Sequence, residues 1–127
     1  MTTYRYVGAA VLCFAVGVIS TLPSIAAAPV PNGEILFRQR CQSCHSVVAA
    51  QPGGLGPNLR GVVGRKAAAA GFNYSAAMKQ SKVTWTQANL DSYLKAPTKM
   101  VPGSRMVIAV NDAAQRAAII KYLSQTK

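Results

Sequence analysis

One five-residue stretch, Cys-Gln-Ser-Cys-His at residues 41–45, contains two of the three cysteines and the only histidine of the 127-residue chain. The remaining cysteine, Cys13, lies far upstream. Cys41 and Cys44 are separated by two residues, and His45 follows at once. Any fold assigned to this chain has to explain why two thiols and one imidazole occur side by side, with no further ligand of either kind downstream.

Three common uses of a Cys-x-x-Cys pair leave part of this motif unexplained. A disulfide between Cys41 and Cys44 closes a very small loop and gives His45 no role. A thioredoxin-like redox pair expects a preceding strand in a βαβ unit, whereas the preceding "NGEILFRQR" is typical of a helix and no parallel-sheet pattern follows. A structural zinc site needs four ligands, and only these three are at hand.

Covalent attachment of a haem uses all three side chains. Each thiol forms a thioether with one vinyl group of the haem, and the two-residue spacer matches the separation of the two vinyls. The adjacent histidine then lies under the iron as the proximal ligand. The motif therefore predicts one haem c, attached through Cys41 and Cys44, with His45 as an iron ligand.

The N-terminus has the organisation of an export signal. Residues 7–22 carry no charge, Arg5 precedes them, and "PSIAAAP" follows. A basic start, an apolar stretch and small residues at the exit predict a signal peptide over residues 1–27, cut after Ala26 or Ala27. The alternative is an uncleaved membrane anchor, for which about 20 apolar residues are needed. Contact with a membrane is expected only in that second case.

Residues 28–127 form one exported, periplasmic domain in either case, and this domain is strongly basic. The whole chain has a formal net charge of +11, and Arg5 contributes one unit of it, so the domain carries +10. A domain with that charge meets a polyanion or docks on acidic protein surfaces. The charge alone would also fit a protein that binds nucleic acid or a membrane surface. No nucleic-acid motif is present, however, so nucleic acid is not expected as a partner.

The rest of the chain predicts an all-α fold, with three to four short helices and long loops around the bound haem. Asn32 caps a helix that starts with the next residue, Thr86 caps "QANLDSYLKA", and Asn111 or Asp112 caps "AAQRAAIIKYLSQ". A turn and a short helix are predicted over "GFNYSAAMKQS". Residues 49–71, with six Gly and two Pro, and "PTKMVPGSRMVIA" are predicted as loops. That much irregular chain is unusual in a small domain unless a buried cofactor organises it.

The second axial ligand of the iron has to come from a residue other than histidine, and a methionine thioether is the natural candidate. Besides the first residue, the chain offers Met78, Met100 and Met106. Met106 follows a Pro-Gly pair in an irregular loop, where the backbone can approach a haem face. The residues alone favour Met106 or Met100 over Met78 and leave the choice between those two open.

From about Gly33 to the C-terminus, the chain resembles the class I c-type cytochromes, of the mitochondrial cytochrome c and bacterial cytochrome c2 type. The resemblance rests on an ordered set of segments: "CQSCH", "GPNLRGVVGR" at 56–65, "GFNYSAAM" at 71–78, Trp85, "YLKAPTKMVPGSRM" at 93–106, and "IIKYL" at 119–123. Any one of them is a weak match, whereas the ordered set is very specific. The resemblance implies the class I cytochrome c fold.

The resemblance also implies roles for individual residues. His45 is implied as the proximal ligand and Met106 as the distal one, because Pro-Gly-Ser-Arg-Met at 102–106 fits the family's Pro-Gly-Thr-Lys-Met. The carbonyl of Pro57 is implied to accept the Nδ1–H of the ligand histidine. The remaining implied residues are Arg65, Tyr74 and Trp85, as donors to a buried haem propionate, and Tyr93, behind the methionine sulfur.

The chain departs from the family pattern in two respects that bear on the site. Met78 stands where the family usually has an asparagine near the distal pocket, which puts a hydrogen-bond network there in doubt. Several lysines expected around the exposed haem edge are absent or displaced. Arg40, Lys99 and Arg105 keep positive charge near that edge.

The implied function is that of an electron carrier and not of an enzyme. Complexes of the cytochrome c reductase and oxidase type are the implied partners, with a periplasmic dehydrogenase or a photosynthetic reaction centre as a substitute, and the protein is expected to be a monomer. The alternative is a haem enzyme or gas sensor with an open sixth position, such as a peroxidase. That alternative lacks a distal histidine and requires that Met106 does not bind the iron.

Overall fold

The computed structural model describes residues 29–127, so the predicted signal peptide or anchor lies outside the described residues. This part of the chain contains five helices: α1 (Gly33–Arg40), α2 (Ala76–Gln80), α3 (Gln87–Lys95), α4 (Pro97–Met100) and α5 (Ala113–Gln125). The one β pairing among these residues is an isolated bridge between Lys66 and Thr84. The all-α prediction is confirmed. None of the five helices is long and apolar enough to cross a bilayer.

The helices begin at the polar residues that the sequence predicts. Asn32 caps α1 and Thr86 caps α3, while Asp112, rather than Asn111, caps α5. The Asp112 carboxylate accepts a backbone N–H of the first turn at 2.9 Å. Ser75 caps α2 in the same way. Each cap satisfies an N–H group that has no partner inside its own helix.

One predicted loop contains a helical turn. The loop prediction over residues 97–109 is wrong for residues 97–100, which form α4 and raise the number of helices from the expected three or four to five. Pro97 occupies the first turn, where its missing N–H would have no helical partner anyway. The N–H of Val101 donates to the carbonyl of Pro97 at 2.9 Å and closes the turn. The predicted loop over residues 49–71 is confirmed, because no helix or named strand falls within it.

The first and last helices pack against each other at a glycine. A Cβ atom on Gly33 would lie 2.0 Å from the carbonyl oxygen of Ala118 and 3.0 Å from Cβ of Tyr122. The absent side chain therefore lets the backbone of α1 approach that of α5 closely. The rings of Phe37 and Tyr122 pack beside this point, with centroids 5.5 Å apart. This contact joins the helix that precedes the Cys-x-x-Cys-His turn to the end of the chain.

Replacing Gly33 with Ala is expected to destabilise the protein by about 3 kcal/mol, at the upper end of the cost of overpacking. A backbone oxygen cannot rotate out of the way as a flexible side chain can, so α1 and α5 would have to separate. Denaturant unfolding measures the loss. Gly71→Ala is the control, because a Cβ there meets no atom within 4 Å. Equal losses in the two variants would show that the close helix contact is not the cause.

Candidate haem site

An apolar cavity of about 330 Å³ opens among these helices and loops. Its wall is built from the residue 41–45 turn, the loop at residues 55–65, the start of α2, α3, the loop at residues 104–110, and α5. Leucine, valine, isoleucine and aromatic side chains predominate, as in pockets that bind flat organic cofactors. All nine sequence-predicted residues line this one cavity: Cys41, Cys44, His45, Pro57, Arg65, Tyr74, Trp85, Tyr93 and Met106.

The end of α1 presents both thiols to the cavity. The N–H groups of Cys44 and His45 donate to the carbonyl of Cys41 at 3.0 and 2.9 Å, which closes a tight turn directly after the helix. Both cysteines are free and half-buried. Burial raises the pKa of the Cys41 thiol to about 11, although the charge of Arg40 opposes the rise. The neutral Cys41 thiol suits an apolar wall, and both free thiols line the cavity where thioethers could form.

The His45 ring is held in the form that binds a metal. Its Nδ1 lies 2.8 Å from the carbonyl oxygen of Pro57, and since a carbonyl only accepts, Nδ1 donates. Burial lowers the pKa of His45, with the Pro57 hydrogen bond acting in the opposite direction. The neutral ring protonated on Nδ1 keeps a lone pair on Nε2, which is the ligand atom an iron needs.

The backbone at Gly56 lies against the His45 ring, and this contact predicts a large effect for Gly56→Ala. A Cβ at Gly56 would lie 2.3 Å from Cε1 and 2.8 Å from Nε2 of the ring. We expect the ring to be displaced from Pro57, with at least a tenfold loss of low-spin holoprotein, as is usual when a group that orients a metal ligand is lost. Absorption spectra of the purified variant measure the low-spin fraction.

Gly54→Ala is the matched control for this prediction. A Cβ at Gly54 would approach the Cys44 carbonyl oxygen to 3.7 Å, an ordinary van der Waals contact. Its spectrum should be that of the unmodified protein. A normal spectrum for Gly56→Ala would instead mean that the ring tolerates displacement.

The three candidate methionines occupy different places. Met106 and Met78 both line the cavity, whereas Met100 packs against the hydrophobic core without reaching the cavity wall. Met78 stands on α2 and is 7% exposed. From the sequence alone, it was the least favoured of the three candidate ligands. Of the two methionines favoured from chemistry, only Met106 lies where a cofactor in this cavity would contact it.

The loop that carries Met106 is tied down on both sides by residues that sequence reasoning did not assign to this role. Ser104 Oγ accepts the N–H of Met106 at 3.3 Å and lies 2.5 Å from the Tyr93 hydroxyl. Arg105 donates from Nη1 to the carbonyl of Asn73 at 2.8 Å. These partners are 11 and 32 residues away along the chain. A short motif such as Pro-Gly-Ser-Arg-Met locates the loop but does not reveal such distant partners.

The three predicted propionate donors, Arg65, Tyr74 and Trp85, all line the cavity. Arg65 donates to the carbonyl oxygens of Arg60 and Asn58 at 3.0 and 2.9 Å, which fixes the guanidinium and leaves N–H groups for an anion. Burial raises the pKa of the Tyr74 hydroxyl, and the nearby charge of Arg65 opposes the rise. Trp85 is buried, lines the same cavity and packs its ring against that of Tyr93, with centroids 4.9 Å apart. The arrangement offers one cation and two neutral donors to a carboxylate.

The donor set at this cavity fits a haem c. Two free thiols, a neutral imidazole and a thioether border an apolar space, and the arginine among its lining residues, held by two carbonyls, could pair with a carboxylate. Soft sulfur and imidazole ligands together suit haem iron. The cavity therefore provides both the covalent and the coordinating groups that the Cys-x-x-Cys-His motif predicts.

Comparison with known proteins gives a consistent answer. The family model described as Cytochrome c matches residues 30–127. Cytochrome c type-1 of Ascaris suum is 42% identical over 106 residues, covering 82% of this chain and 94% of that protein. Cytochrome c2 of Rhodomicrobium vannielii is 44% identical over 95 residues, covering 73% and 75%. The solved structure of cytochrome cH from Methylobacterium extorquens is 41% identical with a TM-score of 0.66, covering 72% and 92%.

Fold, cavity and relatives agree at the level of the family, although the relatives include both bacterial and eukaryotic proteins. The chain belongs to the cytochrome c family, whose members are electron carriers rather than enzymes and bind a haem c covalently through the cysteine pair that Cys41 and Cys44 form here.

Proposed function

We propose that this chain shuttles single electrons between redox complexes of the periplasm, with His45 and Met106 as the axial ligands of its haem iron. The observation that carries the proposal is that these two side chains and both thiols line one apolar cavity. When bound, the haem supplies one-electron exchange between Fe(II) and Fe(III). Met106 at the cavity wall favours a carrier with both axial positions filled over an enzyme or gas sensor with an open one.

The residues around the cavity favour the reduced state of the haem iron and hold its two axial ligands in place. The thioether of Met106 is a soft ligand, and an apolar wall disfavours extra charge, so both raise the reduction potential. The hydrogen bond from His45 to Pro57 fixes the imidazole. The Ser104 and Arg105 contacts hold the methionine loop, so little rearrangement accompanies the gain or loss of an electron.

The cationic residues at the cavity mouth support docking on acidic surfaces. Arg40 and Arg105 line the cavity and are exposed, whereas Lys99, also predicted near the edge, stands on α4 and does not line it. Complementary charge of this kind steers encounter with a partner more than it lengthens residence. Complexes of the cytochrome c reductase and oxidase type are the proposed partners, with a periplasmic dehydrogenase or a photosynthetic reaction centre as a substitute.

The sequence of the N-terminus supports the proposed location. The uncharged residues 7–22 behind Arg5 support export, with residues 1–27 as signal peptide or anchor and residues 28–127 as the carrier domain. The domain is proposed to act as a monomer, since a carrier has to leave one partner to reach the next.

Charge reversal at the mouth tests the docking proposal. Arg40→Glu should slow bimolecular electron transfer to an oxidase-containing membrane about tenfold at low salt, and the difference from the unmodified protein should shrink as salt screens the charges. Stopped-flow oxidation of the reduced protein measures the rate. Lys121→Glu, an exposed change of the same size on α5 that lines neither cavity wall nor mouth, is the control. Equal slowing by both variants would indicate that only the diffuse net charge matters.

A further inference from the structure

A buried arginine joins α3 and α5 to the end of the loop that carries Met106. Arg116 stands on α5, and its Nε donates to Oδ1 of Asp91 on α3 at 2.7 Å. Its Nη1 donates to the carbonyl oxygens of Val110 and Asn111 at 3.0 and 2.8 Å. One guanidinium therefore holds a carboxylate on a neighbouring helix and two backbone carbonyls that follow the methionine.

The Asp91–Arg116 ion pair is far less exposed than the other ion pair of the described residues. The side chain of Arg116 is 7% exposed and that of Asp91 is 44% exposed, whereas Arg38 and Glu34, paired within α1, are 65% and 47% exposed. Water screens an exposed pair strongly, but a buried guanidinium depends on its partner for compensation of its charge. Loss of the Asp91 carboxylate should therefore be felt at Arg116 and at the carbonyls that it holds.

The chain after Met106 has its first anchor four residues further on. Residues 107–109 make no hydrogen bond with any described part of the chain. Val110 is buried, and its N–H donates to the carbonyl of Leu94 at 2.8 Å, while its own carbonyl accepts from Arg116. The contacts at Val110 and the next residue thus fix the far end of the loop, as the serine and arginine contacts described above fix its near end.

We propose that Asp91 and Arg116 are positioning residues for the distal ligand, because they fix the end of the loop and so limit how often the Met106 thioether leaves the iron. The proposal rests on the ligation of the iron by Met106 proposed above. A loop held at both ends opens only when an anchor breaks, and local opening of this kind has its own free energy, separate from that of global unfolding. The anchor here is a charge-assisted contact, about twice as strong as a neutral one.

Binding of free imidazole to the oxidised protein reports on the release of Met106, because imidazole takes the iron position that the thioether vacates. The apparent affinity for imidazole is the intrinsic affinity of the open protein multiplied by the fraction of protein that is open. A substitution that opens the loop ten times more often therefore tightens apparent binding tenfold, although the substituted residue does not touch the imidazole.

Spectroscopic titration of the oxidised holoprotein with imidazole, at a pH where imidazole is neutral, tests the proposal. Asp91→Asn should tighten imidazole binding about tenfold, since Arg116 then donates to a neutral amide oxygen in place of a carboxylate. Glu34→Gln is the matched control: it makes the same change in charge and also breaks an arginine pair, but on α1 and away from the cavity wall. It should leave the affinity unchanged. Equal affinities in all three proteins, or equal tightening in both variants, would overturn the positioning role.

Two further measurements separate this role from a merely structural one and from the proposed function. If the pair only holds α3 against α5, Asp91→Asn lowers the midpoint of denaturant unfolding but keeps the imidazole affinity of the unmodified protein, which would overturn the proposal. The near-infrared band of a methionine-ligated ferric haem, recorded without imidazole, checks the ligation itself. Its absence from the unmodified protein would overturn the ligation by Met106, and the positioning role with it. Its presence together with equal imidazole affinities would overturn the positioning role alone.

Discussion

The double replacement of Cys41 and Cys44 by Ser is expected to give a chain without covalent haem and without a stable fold. Serine hydroxyls do not form thioethers with the haem vinyl groups, so extraction into acidified organic solvent should remove all haem from the variant. The loss of attachment should have structural consequences as well, because both cysteines border the cavity around which the helices are arranged.

The size of the cavity indicates how severe those consequences are. Without the haem, the apolar side chains around a space of about 330 Å³ lose their contacts with it and meet water. A domain of this length is stable by only about 5–15 kcal/mol. The loop at residues 49–71 contains no helix or named strand of its own, so it depends on contacts with the rest of the cavity wall. The apo chain should therefore be largely unfolded.

Far-ultraviolet circular dichroism and amide NMR spectra of the purified variant test this expectation. Gln42→Ala is the matched control, since it changes an exposed residue between the two cysteines and leaves both thiols in place. It should retain covalent haem and the native helix content. A haem-free double variant with dispersed NMR signals and cooperative unfolding would contradict the dependence of the fold on the cofactor.

Local features of the sequence predicted most of the architecture, because caps and the haem motif act over a few residues. Asn32, Thr86 and Asp112 each accept a backbone N–H two or three residues ahead, and such contacts can be read from short windows of sequence. The single turn at residues 97–100 was missed. It is too short to show helical periodicity, and a proline next to the end of α3 indicates a break more readily than a new helix.

The contacts that complete the site could not be predicted from local pattern. The residues alone left Met106 and Met100 equal, and the resemblance to a family separated them. The partners of Ser104 and Arg105 lie on other elements, so they become visible only when the chain is folded. Lys99 stands on α4 and does not line the cavity, so its place near the haem edge stays a prediction.

Removal of the Met106 thioether is the second change with a large expected effect. Met106→Ala should abolish the near-infrared absorption of a methionine-ligated ferric haem, lower the reduction potential and allow CO to bind the reduced iron, because the soft sixth ligand is gone. The holoprotein should also lose about 2 kcal/mol of stability, the lower end for truncating a methionine, since Met106 is only half-buried.

Variants at the other two methionines test whether Met106, rather than Met100 or Met78, is the iron ligand. Met100→Leu preserves volume at a position away from the cavity wall and should keep the absorption band and the exclusion of CO.

Met78 lines the same cavity as Met106, so Met106→Ala is compared with Met106→Ala combined with Met78→Leu. If Met106 is the ligand and Met78 only fills space, the two proteins bind CO alike. Retention of a thioether band in Met106→Ala that disappears in the double variant would assign ligand capacity to Met78. Loss of the band in Met100→Leu would show that Met106 is the wrong assignment.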